Sequence, residues 1–131
     1  MEIIRSGSRS SVKLSPDYFT GTARLDAVID EHQGANVTCG HVTFEPSART
    51  NWHTHPKGQA IIITFGLGLV QKEGGPIEEV RPGDVVWFEP GERHWHGASP
   101  NTAMSHFAVQ ELENGKTVEW LEPVSDAQYS R

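Results

Sequence analysis

Hydrophobic and polar residues alternate along much of this chain in short runs, and turn-forming residues separate the runs. Alternation with a period of two is typical of β-strands that bury one face. The pattern predicts ten strands: Gly21–Ile29, Asn36–Glu45, Asn51–His55, Gln59–Phe65, Leu67–Lys72, Ile77–Val80, Asp84–Phe88, Arg93–Gly97, Ala103–Glu111 and Thr117–Leu121. Helix is expected only as one terminal turn over Ser125–Arg131, with Ser125 as its N-cap.

Glycine and proline mark the boundaries between these runs. Thirteen glycines and eight prolines punctuate the chain, and this spacing favours an all-β sandwich or barrel. Asn114-Gly115 predicts a tight two-residue hairpin, because both positions tolerate positive φ. A length of 131 residues suits one domain with one core. We therefore expect a single domain over 1–131, with an N-terminal arm or strand (1–15), a motif-bearing barrel (36–111) and a C-terminal strand with a short turn (117–131).

Composition narrows the partners and the compartment. A net charge of -6 argues against nucleic acid and anionic membranes, since both require clustered basic residues. The single cysteine, Cys39, cannot form an internal disulfide, and no signal peptide or membrane-spanning run is visible. The sequence predicts a cytoplasmic protein.

Two histidine pairs carry the candidate chemistry. His53 and His55 lie two residues apart on a predicted strand, so their side chains project from the same face. A three-residue turn then brings Gln59 to the head of the next strand, where its amide oxygen could be a further ligand. His94 and His96 share a face in the same way and could supply a third nitrogen. Imidazole suits divalent ions such as manganese, iron, nickel and zinc, so this arrangement predicts a metal site.

Other histidines differ in position. His106 lies on a run in which alternation points Met104, His106, Ala108 and Gln110 to one side. His41 falls opposite the inward set that includes Val42 and Phe44, and His32 sits in a polar loop. We expect neither His32 nor His41 to bind metal.

These segments resemble the two sequence motifs of the cupin superfamily. The first motif is matched by His53, His55, Gln59 and Gly66, and the second by Gly83, Gly91 and His94. Ser47, Glu89 and Ala98 depart from the usual residues of the motifs. The resemblance implies a conserved β-barrel of the double-stranded β-helix or jelly-roll type, commonly a homodimer, whose ion is bound by His53, His55, Gln59 and His94.

Gln59 is the most informative departure, because a glutamate is usual at this position. Three neutral imidazoles and a neutral amide leave the charge of a divalent ion uncompensated. Such a centre favours anionic ligands such as hydroxide, alkoxide or cyanide. The same change also lowers metal affinity, and a weakly held, exchangeable ion is the alternative interpretation.

A closer resemblance runs through the stretches 44–56, 82–88, 90–98 and 102–106. They are similar to the bacterial manganese-dependent hydroxynitrile lyases of the cupin fold, which implies manganese as the ion; iron, nickel, zinc and cobalt suit the same donors. His106 would then be the general base that takes the hydroxyl proton of a cyanohydrin. His96 would orient the substrate or serve as a second acid–base group.

The remaining expectations concern the pocket and the rival functions. Val42, Phe44, Met104 and Gln110 are the expected pocket residues. One alternative function is a cupin dioxygenase for a small enolic or diketone substrate. The other is a non-catalytic cupin that binds a small ligand.

Overall fold

A computed structural model describes residues 1–31 and 34–130 of the chain. Its strands are β1 (Val12–Lys13), β2 (Phe19–Thr20), β3 (Ala23–Ile29), β4 (Val37–Phe44), β5 (Arg49–Thr50), β6 (His53–Thr54), β7 (Gln59–Gly66), β8 (Gly68–Lys72), β9 (Glu78–Val80), β10 (Val85–Phe88), β11 (His94–Ala98), β12 (Met104–Glu111) and β13 (Glu119–Trp120). One short helix, α1 (Asp126–Tyr129), follows them.

The strands form two antiparallel sheets. The first has the order β1-β3-β4-β12-β7-β10. In the second, β11 pairs with β8 on one side and with β5 and β6 on the other, while β13 extends β6 and β2 extends β5. Non-local pairing of this kind places residues from distant parts of the sequence side by side. His94, for example, lies opposite His53.

Inward-facing side chains fill the space between the sheets. Phe44, Ile61 and Met104 are fully buried in this core, as the alternation along β4, β7 and β12 requires. A second, smaller cluster forms where the C-terminal segment packs against the second sheet, and it contains Trp52, Trp95, Val124 and Tyr129.

The predicted all-β fold is confirmed. Each of the ten predicted strands is present, with ends within two residues of the expected positions. The helix begins after Ser125, whose hydroxyl accepts from the Gln128 amide in a capping box; its predicted last residue, Arg131, lies outside the described residues. Asn114 and Gly115 both have positive φ, as the predicted hairpin requires. Within the described residues, no helix is long and apolar enough to cross a membrane.

Candidate metal centre and pocket

Three strand segments bring the predicted ligands together. His53 begins β6, His55 follows this strand by one residue, Gln59 begins β7 and His94 begins β11. All four side chains are buried. The ring centroids of His53 and His94 are 4.3 Å apart, and His55 lies 5.0 Å from His53 and 5.4 Å from His94.

Main-chain carbonyls hold the three imidazoles in one tautomer. The Nδ1 atom of His53 lies 2.8 Å from the carbonyl of Asn51, and that of His94 lies 2.8 Å from the carbonyl of Glu92. For His55 the acceptor is the carbonyl of Thr117 at 2.6 Å, contributed by the C-terminal segment. Since a carbonyl only accepts, Nδ1 carries the proton and Nε2 keeps its lone pair. Metal-binding histidines in proteins are oriented in this way.

A chain of amide hydrogen bonds fixes the orientation of Gln59. Thr38 accepts from Nε2 of Gln110 through its hydroxyl at 2.7 Å, which leaves Oε1 of Gln110 to accept from Nε2 of Gln59 at 3.0 Å. The Oε1 atom of Gln59 is thereby turned towards Nε2 of His94, 3.4 Å away. Oε1 of Gln59 and Nε2 of His94, each with a lone pair and no proton, therefore face each other in the cluster.

This donor set fits a divalent ion. The Nε2 atom of His55 is buried without a hydrogen-bond partner among the described residues, and such an atom requires an explanation such as a bound ion. Burial lowers the pKa of His94 to about 3 and places that of His53 well below its usual value. The imidazoles are therefore neutral at physiological pH, which is the form that binds metal.

His96 and His106 form a second pair beside the first cluster. Nδ1 of His96 and Nε2 of His106 are 2.9 Å apart, and the other nitrogen of each ring is buried without a partner among the described residues. Burial lowers the pKa of His106 from the usual imidazole value of 6.5 to about 3.

A second group of three imidazoles is also close enough to share one ion, and it contains His96 in place of His55. Ligand atoms of His53, His94 and His96 all lie within 4.8 Å of one another. The hydrogen-bond partner of Nδ1 of His96 is the imidazole of His106, which can donate or accept, so the tautomer of His96 is not fixed. The partner of Nδ1 of His55 is a main-chain carbonyl, which can only accept and therefore fixes the tautomer. The hydrogen bonds therefore favour His55 as the third imidazole ligand, with His96 next to the centre.

A cavity of about 350 Å³ opens from this histidine cluster. His53, His55, Gln59, His96 and His106 line its inner end. Most of the remaining wall is apolar and includes Leu14, Phe19, Leu25, Val42, Phe44 and Trp120. A mostly apolar wall with a few convergent polar groups is typical of small-molecule sites.

The pocket prediction requires one correction. Val42, Phe44 and Gln110 line the cavity, but Met104 does not. Met104 faces inward as alternation predicts, yet it starts β12 at the far end of the barrel from Gln110. Its side chain fills the core beside Gly68 and Val80.

Two contributors to the site come from the C-terminal segment and were not predicted from the sequence. The carbonyl of Thr117 has no residue-type signal, because every residue carries one. Trp120 lines the cavity and lies against His53, with ring centroids 4.8 Å apart and the ring planes inclined at 43°. Alternation along the last predicted strand places Val118 and Trp120 on one face and could have indicated this role.

His41 and His32 were both expected to lie outside the metal site. His41 lies against Phe107 and its Nε2 is 2.9 Å from the hydroxyl of Thr64, away from the cluster. His32 lies outside the described residues.

The chain matches a known protein family and a curated protein of similar length. Residues 40–109 match the family described as Cupin domain. The chain is 57% identical to a curated (R)-mandelonitrile lyase from Granulicella tundricola, over the whole of both chains.

Solved structures share the fold. A cupin-like protein from Thermotoga maritima superposes with a TM-score of 0.85 at 37% identity and covers 98% of this chain and 95% of its own. The polyketide cyclase RemF from Streptomyces resistomycificus gives a TM-score of 0.78 at 19% identity, covering 99% and 91%; at this identity the likeness concerns the fold alone.

Proposed function

From the premise that this chain belongs to the cupin domain family, we propose that it is a metal-dependent lyase that cleaves mandelonitrile and related cyanohydrins. The products would be an aldehyde or ketone and hydrogen cyanide. The observation that carries this proposal is the 57% identity to an (R)-mandelonitrile lyase over the full length of both chains. The histidine cluster at the end of an apolar cavity supports it.

The ligands that we propose are His53, His55, Gln59 and His94. Their support is that main-chain carbonyls leave Nε2 of each imidazole with its lone pair, and that the Gln110 side chain orients the Gln59 amide. Manganese is the proposed ion, and iron, nickel, zinc and cobalt suit the same donors. A bound divalent ion supplies Lewis acidity towards a substrate oxygen.

We assign proton transfer to His106 and His96. Each neutral imidazole carries one proton, and one of the two lies between Nδ1 of His96 and Nε2 of His106. Whichever ring donates, one outer nitrogen of the pair has a lone pair and the other has a proton. The pair can therefore accept a proton at one end while it offers another at the other end.

The reaction follows from these groups. The outer lone pair of His106 or His96 accepts the hydroxyl proton of the cyanohydrin, the oxygen forms the carbonyl double bond, and the carbon–carbon bond breaks. Cyanide leaves with the electron pair of that bond and takes a proton from the histidine pair. The apolar wall, including Phe19, Val42 and Phe44, suits the aromatic ring of mandelonitrile.

The test is cyanide release from each enantiomer of mandelonitrile by manganese-loaded protein. We expect faster release from the (R) enantiomer, with air or without it, and none above background after metal removal. His106→Asn should lower turnover by about 100-fold or more, the range for loss of a general base, with its manganese content unchanged. His41→Asn, on the outer face of the sheet, is the control and should match the wild type. Release that does not depend on metal would contradict the proposal.

We also propose a homodimer formed through the outer face of the first sheet. Val85, Ile62 and Phe107 lie side by side on three neighbouring strands, and Trp87 lies opposite Ala60 two residues further along. These outward side chains are apolar, and Val85 and Trp87 are 65% and 52% exposed. A continuous apolar face of this kind usually marks a contact surface.

A further inference from the structure

The C-terminal strap, defined here as residues 117–129, contacts the metal centre at two points. The carbonyl of Thr117 accepts from Nδ1 of His55 at 2.6 Å. Trp120 pairs with His53 in the strand register, and its indole contacts the imidazole in a tilted arrangement. The orientation of His55 therefore depends on a segment about sixty residues away in sequence, whose own position must be fixed.

Arg49 anchors this strap to the barrel. Its side chain is 4% exposed, and Nη2 donates to the carbonyl of Val124 at 2.8 Å and to Oδ1 of Asp126 at 2.9 Å. The guanidinium lies 4.5 Å from the ring centroid of Tyr129. The hydroxyl of Tyr129 in turn donates to the carbonyl of Ala98 on β11 at 2.6 Å.

Arg49 is buried, which is uncommon for a charged side chain. Burying a charge is costly unless every donor is paired, and here Nε, Nη1 and Nη2 donate to main-chain carbonyls of Val124 and Ser47. A guanidinium presents several donors in one rigid plane, which a lysine ammonium does not. The residue is therefore suited to holding a chain segment at a fixed distance from β5.

We propose that Arg49 is a positioning residue of the metal centre, acting through the C-terminal strap on His55. The proposal rests on the proposed assignment of His55 as a ligand. Without the anchor, the strap can move away and the carbonyl of Thr117 no longer fixes the tautomer and ring of His55. Loss of an outer hydrogen bond to a metal-binding histidine weakens metal affinity by about tenfold to 100-fold.

The first experiment measures manganese affinity by equilibrium dialysis for the wild type, Arg49→Met and the control Arg81→Met. Methionine keeps an apolar stem in the buried site, and Arg81 forms an exposed ion pair with Glu79 away from the strap. We expect the Kd of Arg49→Met to rise about tenfold or more, with circular dichroism unchanged. Arg81→Met should bind like the wild type. An unchanged Kd for Arg49→Met overturns the proposal.

A double-mutant cycle separates positioning from a general structural effect. If Arg49 acts through His55, then Arg49→Met should change the Kd little in a His55→Ala background, because the group it orients is gone. Additive losses overturn the proposal. Should Arg49→Met not fold, Tyr129→Phe takes its place in the cycle, since it removes the hydroxyl that ties the strap to the carbonyl of Ala98 and keeps the ring under the guanidinium.

Cobalt-loaded protein supplies a spectroscopic measurement that does not depend on turnover. The visible bands of cobalt report its ligand set, so the anchor variant should shift them towards the spectrum of His55→Ala, while a spectrum equal to the wild type counts against the proposal. The lyase proposal is tested by a different measurement. If the wild type binds metal but releases no cyanide, the lyase assignment is wrong, while the test of Arg49 still applies.

Discussion

At the scale of single residues, the site depends on which atom of each side chain carries a proton. His-x-His spacing was enough to predict that His53 and His55 share a face. It could not indicate that the carbonyls of Asn51 and Thr117 select the tautomer, because main-chain groups have no signature in a sequence. The lowered pKa of His106 is likewise set by burial, which depends on neighbours from other strands.

Ser47 illustrates a residue whose cost is visible only in the structure. It occupies a motif position where glycine is usual, and its φ is 71°. A side chain in this region clashes with its own backbone, at about 1–2 kcal/mol. Ser47→Gly should therefore raise the free energy of unfolding by about 0.5–1 kcal/mol after the entropy cost of glycine. Urea denaturation checks this, with Ser10→Gly, at an exposed position without positive φ, as the control that should gain nothing.

At the scale of elements, alternation predicted the long strands but missed three of the five two-residue strands among the described residues. Strands β1, β2 and β5 have two residues each, too few to show a period. They are defined by their pairing with distant segments: Val12 lies opposite Leu25, and Phe19 lies opposite Thr50. The ligand-bearing strands were predictable because their histidines alternate within longer runs.

The junction between β7 and β8 provides a test at this scale. Gly66 has a φ of 80°, and a Cβ there would lie 1.8 Å from the carbonyl oxygen of Ala103. We expect Gly66→Ala to lower the free energy of unfolding by about 3 kcal/mol or more, from strain plus overpacking. Gly91→Ala is the matched control, since its φ is 75° but the space around it is open. Thermal unfolding should show a clearly larger loss for Gly66→Ala, and equal losses would contradict the clash.

At the scale of the whole molecule, the barrel encloses five imidazoles whose pKa values are all lowered by burial. In the metal-free protein, the unfolded chain binds more protons than the folded chain between pH 6.5 and about 3. Stability is thus full above pH 6.5 and decreases as the pH falls through this window.

The expected loss is about 1.4 kcal/mol per pH unit for each histidine that takes up a proton on unfolding. Urea unfolding of metal-free protein at roughly pH 7, 6 and 5 measures the slope, and His106→Asn should make it shallower. A free energy of unfolding that stays constant over this range would show that these imidazoles are not held neutral.

The exposed apolar face concerns the molecule as part of an assembly. We expect Trp87→Arg to convert the proposed dimer to monomers in sedimentation velocity, because a charge would be buried at its centre. Lys72→Arg, on a strand of the other sheet, should leave the sedimentation coefficient unchanged. A wild-type protein that sediments as a monomer at all concentrations would rule out the dimer.

The contact between Trp120 and His53 has an optical consequence. An indole 4.8 Å from the ring of a proposed ligand lies within reach of any open-shell ion bound there, and such ions quench fluorescence at short range. This cavity-lining side chain is thus also an intrinsic reporter of metal occupancy, so loading and exchange can be followed in real time without a label.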